Sequence, residues 1–277
     1  MKLKLWMCII LLTAGSVVTT ACLKNEKPVI IVKGSTSMDP MTRKLVAAYQ
    51  LRKNISFDID PAGSHSGLEG LIKGSCDIAE SSSVASREYV DMAGKAGLTL
   101  KSFLVAHDYI VPIVHPKNSA DKITMKQLRE IYTGKMETWE QINGAKEKII
   151  TVSRDGSSGT WEIWNATLGI GDTIIKDALV QKSNSGVLAF VAENTNALGY
   201  VGSAFLNNEV KALRVDGKGH ADKKMKNISY PIYRDLYLYV IEERFTEESR
   251  SYIIFVLSKE GQKLIRESGF VPAAGNI

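Results

Sequence analysis

The sequence at positions 149–160 is Ile149-Ile150-Thr151-Val152-Ser153-Arg154-Asp155-Gly156-Ser157-Ser158-Gly159-Thr160. Its β-branched first half predicts a strand, its second half predicts a turn rich in glycine and hydroxyl groups, and a helix is predicted at 161–167. A strand-to-helix turn presents free backbone N–H groups at the positive end of the helix dipole. Arg154 adds a planar guanidinium that matches two oxygens of a tetrahedral anion. The stretch therefore predicts an anion site at the carboxyl end of a strand in an α/β fold.

Three other turns of the same kind stand between a predicted strand and a predicted helix. They are Gly34-Ser35-Thr36-Ser37, Gly63-Ser64-His65-Ser66-Gly67 and Ser183-Asn184-Ser185-Gly186. In each turn, glycine allows a ligand to approach the backbone, and the hydroxyl groups add hydrogen-bond donors. A second interpretation stays open, because serine and threonine are also ordinary helix N-caps and because Arg154 and Asp155 could form a surface ion pair.

Short β-branched runs alternate with helical stretches along the chain, which predicts α/β layers with mainly parallel sheets. Two of these runs, Phe103–His115 and Tyr230–Val240, are long and apolar enough to cross between two lobes. If both cross, the first lobe combines residues 29–112 and 232–277, and the second lobe consists of residues 113–231. The two ends of the chain would then build one lobe and its middle the other.

Two local predictions concern the longest elements. The apolar stretch Leu98–His115 is expected to form one strand or two strands broken at Pro112, because proline lacks the N–H group that strands pair with. The last helical stretch, Ser249–Arg266, is expected to close the chain as one helix.

Composition and motifs exclude several classes of protein. The 277 residues are 44% hydrophobic and 23% charged, which is typical of a globular chain, and the net charge of +5 is too mild to indicate nucleic-acid binding. Three cysteines cannot form a disulfide framework. The sequence has no nucleotide P-loop, no G-x-S-x-G elbow and no His/Cys cluster with metal-ligand spacing. It therefore predicts neither an enzyme nor a metal or cofactor site.

The N-terminus has the layout of an export signal. A basic start, Met1–Lys4, precedes an apolar run over residues 5–18, and small residues lead directly to Cys22. We interpret residues 1–21 as a signal peptide, Cys22 as a lipidation site and residues 22–28 as a polar tether. A plain signal peptide that leaves the thiol of Cys22 unmodified is the alternative. Cys76 is expected to be a small buried apolar residue.

Taken together, the turns resemble those of the phosphate-binding proteins that serve the phosphate ABC transporter. The matching segments extend over nearly all of the mature chain, and the most specific is the stretch from Ile123 to Trp139, with Ile131-Tyr132-Thr133-Gly134-Lys135 at its centre. The others are Lys33–Ser37, Gly63–Leu68, Asp77–Ser82, Arg154 with Ser158–Thr160, Ser185-Gly186 and Leu198–Val201. The resemblance implies a two-lobed fold of the periplasmic-binding-protein type II, with two mixed sheets flanked by helices and a hinge of two strands.

The resemblance also implies which residues contact phosphate. Transferred to this sequence, the contacts fall on Ser35, Thr36, Ser37, Ser64 or Ser66, Ser82, Arg154, Ser158, Gly159 and Thr160. Some members carry an aspartate at the position of Ser82, which accepts a proton from the phosphate. Here Glu80 and Asp155 are the nearby acids, and the choice between them stays open, as does the choice between Ser64 and Ser66.

The function implied by the resemblance is capture without chemistry. A monomeric, lipid-anchored protein on the extracytoplasmic face of the cell membrane would enclose inorganic phosphate between its lobes and deliver it to an ABC transporter permease. It would need no cofactor and no nucleic-acid partner. The alternatives are a binding protein for another oxyanion, such as sulfate or molybdate, a phosphate-sensing lipoprotein without a transport role, and an enzyme acting on phosphate esters.

Overall fold

The computed structural model describes residues 27–142, 146–171, 177–220 and 230–273. The predicted signal peptide and the predicted lipidation site at Cys22 lie outside these residues. Within the described ranges, no helix combines the length and the apolar character that a membrane span requires.

The described chain alternates strands and helices, as the sequence predicts. The strands are β1 Val29–Gly34, β2 Ser56–Asp60, β3 Ile78–Ser81, β4 Leu100–Val114, β5 Lys122–Ile123, β6 Ile150–Arg154, β7 Leu179–Gln181, β8 Ala197–Gly202, β9 Lys211–Ala212, β10 Arg214–Val215, β11 Tyr233–Ile241 and β12 Val271–Pro272. The helices are α1 Asp39–Gln50, α2 Ser64–Lys73, α3 Arg87–Lys95, α4 Met125–Tyr132, α5 Gly159–Leu168, α6 Asn184–Glu193, α7 Glu247–Leu257 and α8 Lys259–Glu267.

The strands join in the order β2-β1-β3-β11-β4-β8-β6-β7, and β9 and β12 also pair with β4. The pairs formed by β1 and by β6 are parallel. The pairs that involve β4 or β11 are antiparallel. The expectation of mainly parallel sheets is therefore wrong, because these two strands run against the neighbours they pair with. The α/β class with mixed sheets flanked by helices is confirmed.

Strand β4 connects two hydrophobic cores. Its first part pairs with β11, and its second part pairs with β8 and β9. Val105 and Ala106 pack in one core with β1, α1 and α7, whereas Ile110 and Val111 pack in the other with α4, α5 and β8. On β11 and just before it the same division falls between Ile232 and Leu236. This division concerns the two cores, and the exact lobe boundaries at 112/113 and 231/232 stay a prediction.

Two local expectations can be compared with the structure. Strand β4 passes through Pro112 without a break, and the carbonyl of Pro112 still accepts a hydrogen bond from Leu213 N at 2.9 Å. The single closing helix is wrong, because Ser258 has extended backbone between α7 and α8. Its hydroxyl donates to the carbonyl of Phe255 at 2.6 Å and caps α8 by accepting from Gly261 N at 3.2 Å.

Candidate functional site

The hydroxyl-rich turns meet between the two cores. Ser37 Oγ, before α1, lies 3.0 Å from Thr160 Oγ1 at the start of α5. Arg154 Nη2 donates to Thr36 Oγ1 at 3.3 Å, which joins the same two segments a second time. Turns that are more than a hundred residues apart in sequence thus contribute polar groups to one buried place.

The first turn is shaped by Gly34. Its φ of +146° is a conformation that favours glycine, and a Cβ there would lie 2.1 Å from the carbonyl oxygen of Glu80. Ser35 N donates to that same carbonyl at 2.9 Å, and Ser37 N donates to Ser35 Oγ at 3.2 Å. The close approach to β3 buries Ser35 and Ser37 at the start of α1.

The turn at Gly63–Gly67 meets the end of β3 through two serines, Ser64 and Ser82. Ser64 begins α2, is buried, and its Oγ accepts from Ser82 N at 3.1 Å. The hydroxyl of Ser82 lies 3.3 Å from the same oxygen. Ser66 is only half-buried, and in the part of the chain that the structure describes it forms no side-chain hydrogen bond to this group. The geometry therefore favours Ser64 over Ser66.

Arg154 ends β6 and is buried with 1% of its surface exposed. Its Nε donates to the carbonyl of Gln181 at 3.1 Å, and its Nη2 donates to the carbonyl of Lys182 at 3.0 Å. Its Nη1 is buried and has no hydrogen-bond partner among the described residues. Burial lowers the pKa of Arg154 to about 10, so the guanidinium stays charged at neutral pH without a carboxylate bonded to it.

The start of α5 faces the serines of the other lobe. Ser158 caps the helix, and its Oγ accepts from Thr160 N at 3.2 Å and from Trp161 N at 3.4 Å. A Cβ on Gly159 would lie 2.7 Å from Ser82 Oγ and 2.9 Å from Ser64 Oγ. Glycine therefore lets the N–H groups of the helix start approach these hydroxyls.

The two acids left open by the sequence are both engaged elsewhere. The carboxyl group of Glu80 accepts a hydrogen bond from the hydroxyl of Thr42 on α1, and burial raises its pKa to about 8. Asp155 folds back on its own turn and accepts hydrogen bonds from the N–H group of Ser157, at 3.0 Å, and from its hydroxyl. Neither carboxylate has a described contact with the hydroxyls or with the guanidinium of Arg154.

Asp108 and Arg234 were not found from the sequence, and Asn184 was predicted only as part of its hydroxyl-rich turn. Arg234 on β11 donates from Nε and Nη2 to Asp108 Oδ2 on β4, at 3.1 and 2.6 Å, and its Nη1 donates to Thr160 Oγ1. Asn184, at the start of α6, donates from Nδ2 to Ser37 Oγ at 2.9 Å. A signal existed for the first pair, because Asp108 and Arg234 are charged residues inside two long apolar runs.

A further polar contact joins the lobes beside the serine turns. His65 Nε2 lies 3.5 Å from Glu162 Oε2 on α5, and each side chain is about one-third exposed. The hydrogen bond to Glu162 raises the pKa of His65, and the same bond lowers the pKa of Glu162. The pair belongs to the rim of the site.

Other kinds of site receive no support from the described residues. They contain no group of three or more His, Cys, Asp or Glu side chains that could hold a metal ion. Cys76 is buried, as predicted, and burial raises the pKa of its thiol to about 12, so the reactive thiolate is scarce at neutral pH.

Comparison with known proteins identifies the family and the fold. The family model of the PBP superfamily domain matches residues 18–260. The chain belongs to the PBP superfamily. Among solved structures, a phosphate ABC transporter substrate-binding protein from Clostridium perfringens, crystallised with bound phosphate, superimposes with a TM-score of 0.82 at 28% identity. That comparison covers 89% of this chain and 100% of the other, and it confirms the predicted two-lobed fold.

Two more relatives extend the comparison. An ABC-type phosphate transport receptor from Vibrio cholerae superimposes with a TM-score of 0.72 at 27% identity, covering 88% of this chain and 99% of that chain. The phosphate-binding protein PstS of Borreliella burgdorferi is 26% identical over 266 residues, which cover 89% of this chain and 90% of the relative. Each of these three relatives matches this member of the PBP superfamily over 90% or more of its own length.

Proposed function

We propose that the chain is an extracytoplasmic solute-binding protein that captures inorganic phosphate between its lobes and delivers it to an ABC transporter permease. The observation that carries the proposal is Arg154 Nη1, a buried donor of a charged group with no partner among the described residues. The Thr36 hydroxyl accepts from that guanidinium, and Ser37, the next residue, contacts the Thr160 hydroxyl of the other lobe. The names of the relatives, which are phosphate-binding proteins, support phosphate as the anion.

The proposed contacts are donors to the oxygens of a tetrahedral anion. They are Ser35, Thr36, Ser37, Ser64, Ser82, Arg154, Ser158, Gly159 and Thr160, with Ser66 as the weaker alternative to Ser64. If each charge-assisted bond contributes about 1.5–3 kcal/mol, six of them give about 9 kcal/mol or more, which corresponds to a Kd of about 1 μM or tighter. Binding of this kind needs no bond to break, so we propose capture without catalysis.

The proposal includes export and anchoring. Removal of residues 1–21 and acylation of Cys22 would tether the monomer to the extracytoplasmic face of the membrane by a short polar segment, residues 22–28. Bacterial lipoprotein cysteines carry more than one acyl chain, which gives stable anchoring. Mass spectrometry of the protein purified from membranes tests this part: an unmodified Cys22 thiol would contradict it.

One observation favours a second ligand. Neither Glu80 nor Asp155 faces the donors, so the site offers no described carboxylate that would repel an anion lacking a proton, such as sulfate or molybdate. Calorimetric titration of the mature domain with phosphate, sulfate and molybdate distinguishes the two. Phosphate binding that is tighter than sulfate binding supports the proposal, whereas equal affinities contradict phosphate as the specific ligand.

Catalysis is tested with the same protein. Turnover of a chromogenic phosphate ester that disappears in Ser158→Ala would replace capture by hydrolysis. A rise of the melting temperature with phosphate concentration, lost in Arg154→Ala, is the result expected for a binding protein.

A further inference from the structure

Arg234 is a buried guanidinium on β11, and its charge is already balanced. Two of its nitrogens donate to Asp108 Oδ2, and the side chains of both residues are fully buried. The other carboxylate oxygen of Asp108 accepts from the N–H group and the hydroxyl of Ser203 at 3.0 and 2.8 Å. The guanidinium is therefore held in one orientation, with Nη1 left to reach another partner.

That partner is the hydroxyl of Thr160. A guanidinium has no lone pair, so in the contact between Arg234 Nη1 and Thr160 Oγ1 the threonine oxygen can only accept. The proton of the Thr160 hydroxyl must consequently point elsewhere. Arg234 thus restricts the direction in which the Thr160 hydroxyl proton points. Thr160 lies across the cleft from α1.

Asn184 acts on Ser37 in the same way. The N–H group of Gly202 donates to Asn184 Oδ1 at 3.1 Å, and since an N–H can only donate, the amide oxygen must face Gly202. The amide nitrogen then faces Ser37 Oγ at 2.9 Å and donates to it. Asn184 is fully buried, so this orientation is fixed by packing as well as by hydrogen bonding.

The two hydroxyls that accept from these residues lie 3.0 Å apart. Only one proton fits between two oxygens at that distance, so one of the two hydroxyl protons has no acceptor among the described residues. We infer that Arg234 and Asn184 are positioning residues: because they make the Thr160 and Ser37 oxygens accept, they leave one hydroxyl of this pair to donate its proton to an anion held between the lobes. The inference rests on the proposed function and deepens it, because it names a donor pair for the anion and the two residues that orient that pair.

The same principle operates at two other hydroxyls of the cleft. Ser64 Oγ accepts from Ser82 N, and Ser158 Oγ accepts from Thr160 N and Trp161 N. Their protons too must point away from these backbone donors. At Ser37 and Thr160, in contrast, side chains supply the fixed donor, and side chains can be exchanged by mutation.

The first test is Asn184→Asp, which replaces a donor by an acceptor of the same shape. The carboxylate attracts the Ser37 proton away from the anion, so the Kd for inorganic phosphate rises by about 10- to 100-fold. As the pH falls, a protonated carboxyl can donate again, so the ratio of the mutant Kd to the wild-type Kd shrinks. A purely structural role for Asn184 gives no such pH profile.

Asn118→Asp is the matched control. Asn118 Oδ1 also accepts from a backbone N–H group, that of Ala120 at 2.9 Å, and its Nδ2 donates to the carbonyl of Thr195 at 3.0 Å. Its amide has the same pattern as that of Asn184 but makes no described contact with the cleft hydroxyls. The control is expected to bind phosphate with the wild-type Kd. A loss of affinity in the control as well would show that any buried aspartate weakens binding, wherever it lies.

The second test does not depend on Asn184→Asp being folded. Arg234→Lys keeps a charge beside Asp108 but has no second nitrogen for Thr160, and Thr160→Val removes the hydroxyl. If Arg234 acts through Thr160, Arg234→Lys raises the Kd by about 10-fold in the wild-type background and by less than about 2-fold in Thr160→Val. Melting temperatures without anion show whether each variant is folded.

The outcomes separate this inference from the proposed function. Unchanged phosphate affinity in Asn184→Asp, or additive effects of Arg234→Lys and Thr160→Val, would overturn the inference and leave phosphate capture intact. Wild-type protein that binds sulfate or molybdate instead of phosphate would overturn the proposed ligand, and the variants are then titrated with that anion. Wild-type protein that binds none of the three would overturn both.

Discussion

Two buried arginines lie close to each other in the cleft, and they differ in their partners. Arg234 is paired with the carboxylate of Asp108, and every oxygen of that carboxylate is engaged. Arg154 contacts two carbonyl oxygens and one hydroxyl, has no described carboxylate partner, and keeps a buried nitrogen without a partner. Burial lowers the pKa of Arg154, and the nearby positive charge of Arg234 acts in the same direction.

The difference shows that burial alone does not identify a charged side chain that binds a ligand. A buried charge is costly unless it is compensated, and the folded chain compensates Arg234 by itself. Arg154 has no such carboxylate among the described residues, and in the proposed function the bound anion compensates it. The same residue type therefore orients a hydroxyl from the crossing strands in one case, and in the proposed function contacts the anion directly in the other.

The largest effect is expected when the compensated pair is broken. Asp108→Ala leaves Arg234 buried and uncompensated, which lowers the free energy of unfolding by about 3–5 kcal/mol. Urea unfolding of the phosphate-free protein measures it. Asp121→Ala is the control, because Asp121 pairs with Lys211 at 2.7 Å but is largely exposed, and no resolvable change is expected.

The next effect is expected at the uncompensated arginine. Arg154→Met should weaken phosphate binding by about 100-fold or more, whereas the stability without phosphate should stay equal or rise, because a buried charge is removed. Calorimetry and melting temperatures measure the two quantities. Arg52→Met, at an exposed pair with Glu260, serves as control. A loss of unliganded stability as large as that of Asp108→Ala would abolish the distinction between the two arginines.

Two glycines sharpen the comparison. A Cβ on Gly202 would lie 2.6 Å from Asp108 Oδ2 and 2.8 Å from Arg234 Nη2, so Gly202→Ala pushes into a rigid ion pair and should cost about 1–3 kcal/mol of stability. A Cβ on Gly159 would meet three serine hydroxyls of the opposite lobe, those of Ser64, Ser82 and Ser83, and the two lobes can separate. Gly159→Ala should therefore lower phosphate affinity more than stability. The reverse order in unfolding and calorimetry would contradict this assignment.

The smallest effect is expected at the rim, where the charges are partly hydrated. The raised pKa of His65 means that its contact with Glu162 stabilises the closed lobes below the ordinary pKa of 6.5 and is lost as the pH rises through the raised value. On the acid side the contact is lost as Glu162 is protonated. Glu69 and Asp155 also raise the pKa of His65, and Tyr89 packs against its ring.

His65→Gln tests this contribution. The wild-type protein should bind phosphate slightly better than the variant at about pH 6, by no more than about 1 kcal/mol, and the two should converge at higher pH. Because phosphate titrates identically in both experiments, the ratio of the two Kd values isolates the histidine. A ratio that stays constant from pH 5.5 to about pH 8.5 would exclude a titrating His65.

The sequence by itself determined the local features of this protein. Each strand-to-helix turn is encoded within a few residues, so the positions of β6, α5 and their joining turn, and the presence of Arg154 at the strand end, could be predicted. The α/β class followed from the alternation of such units. The break at Ser258 was missed because one helical pattern continues across it, and only the cap contacts reveal the new helix.

The tertiary structure decided which of the predicted groups meet. Ser37 and Thr160 are 123 residues apart in sequence, and Asp108 and Arg234 are 126 apart, so no local pattern links them. The antiparallel crossing of β4 and β11 brings the second pair together, and the packing of α2 against β3 places Ser64, not Ser66, against Ser82. Burial also separated the two arginines, because whether a charge has a partner depends on the residues that folding brings beside it.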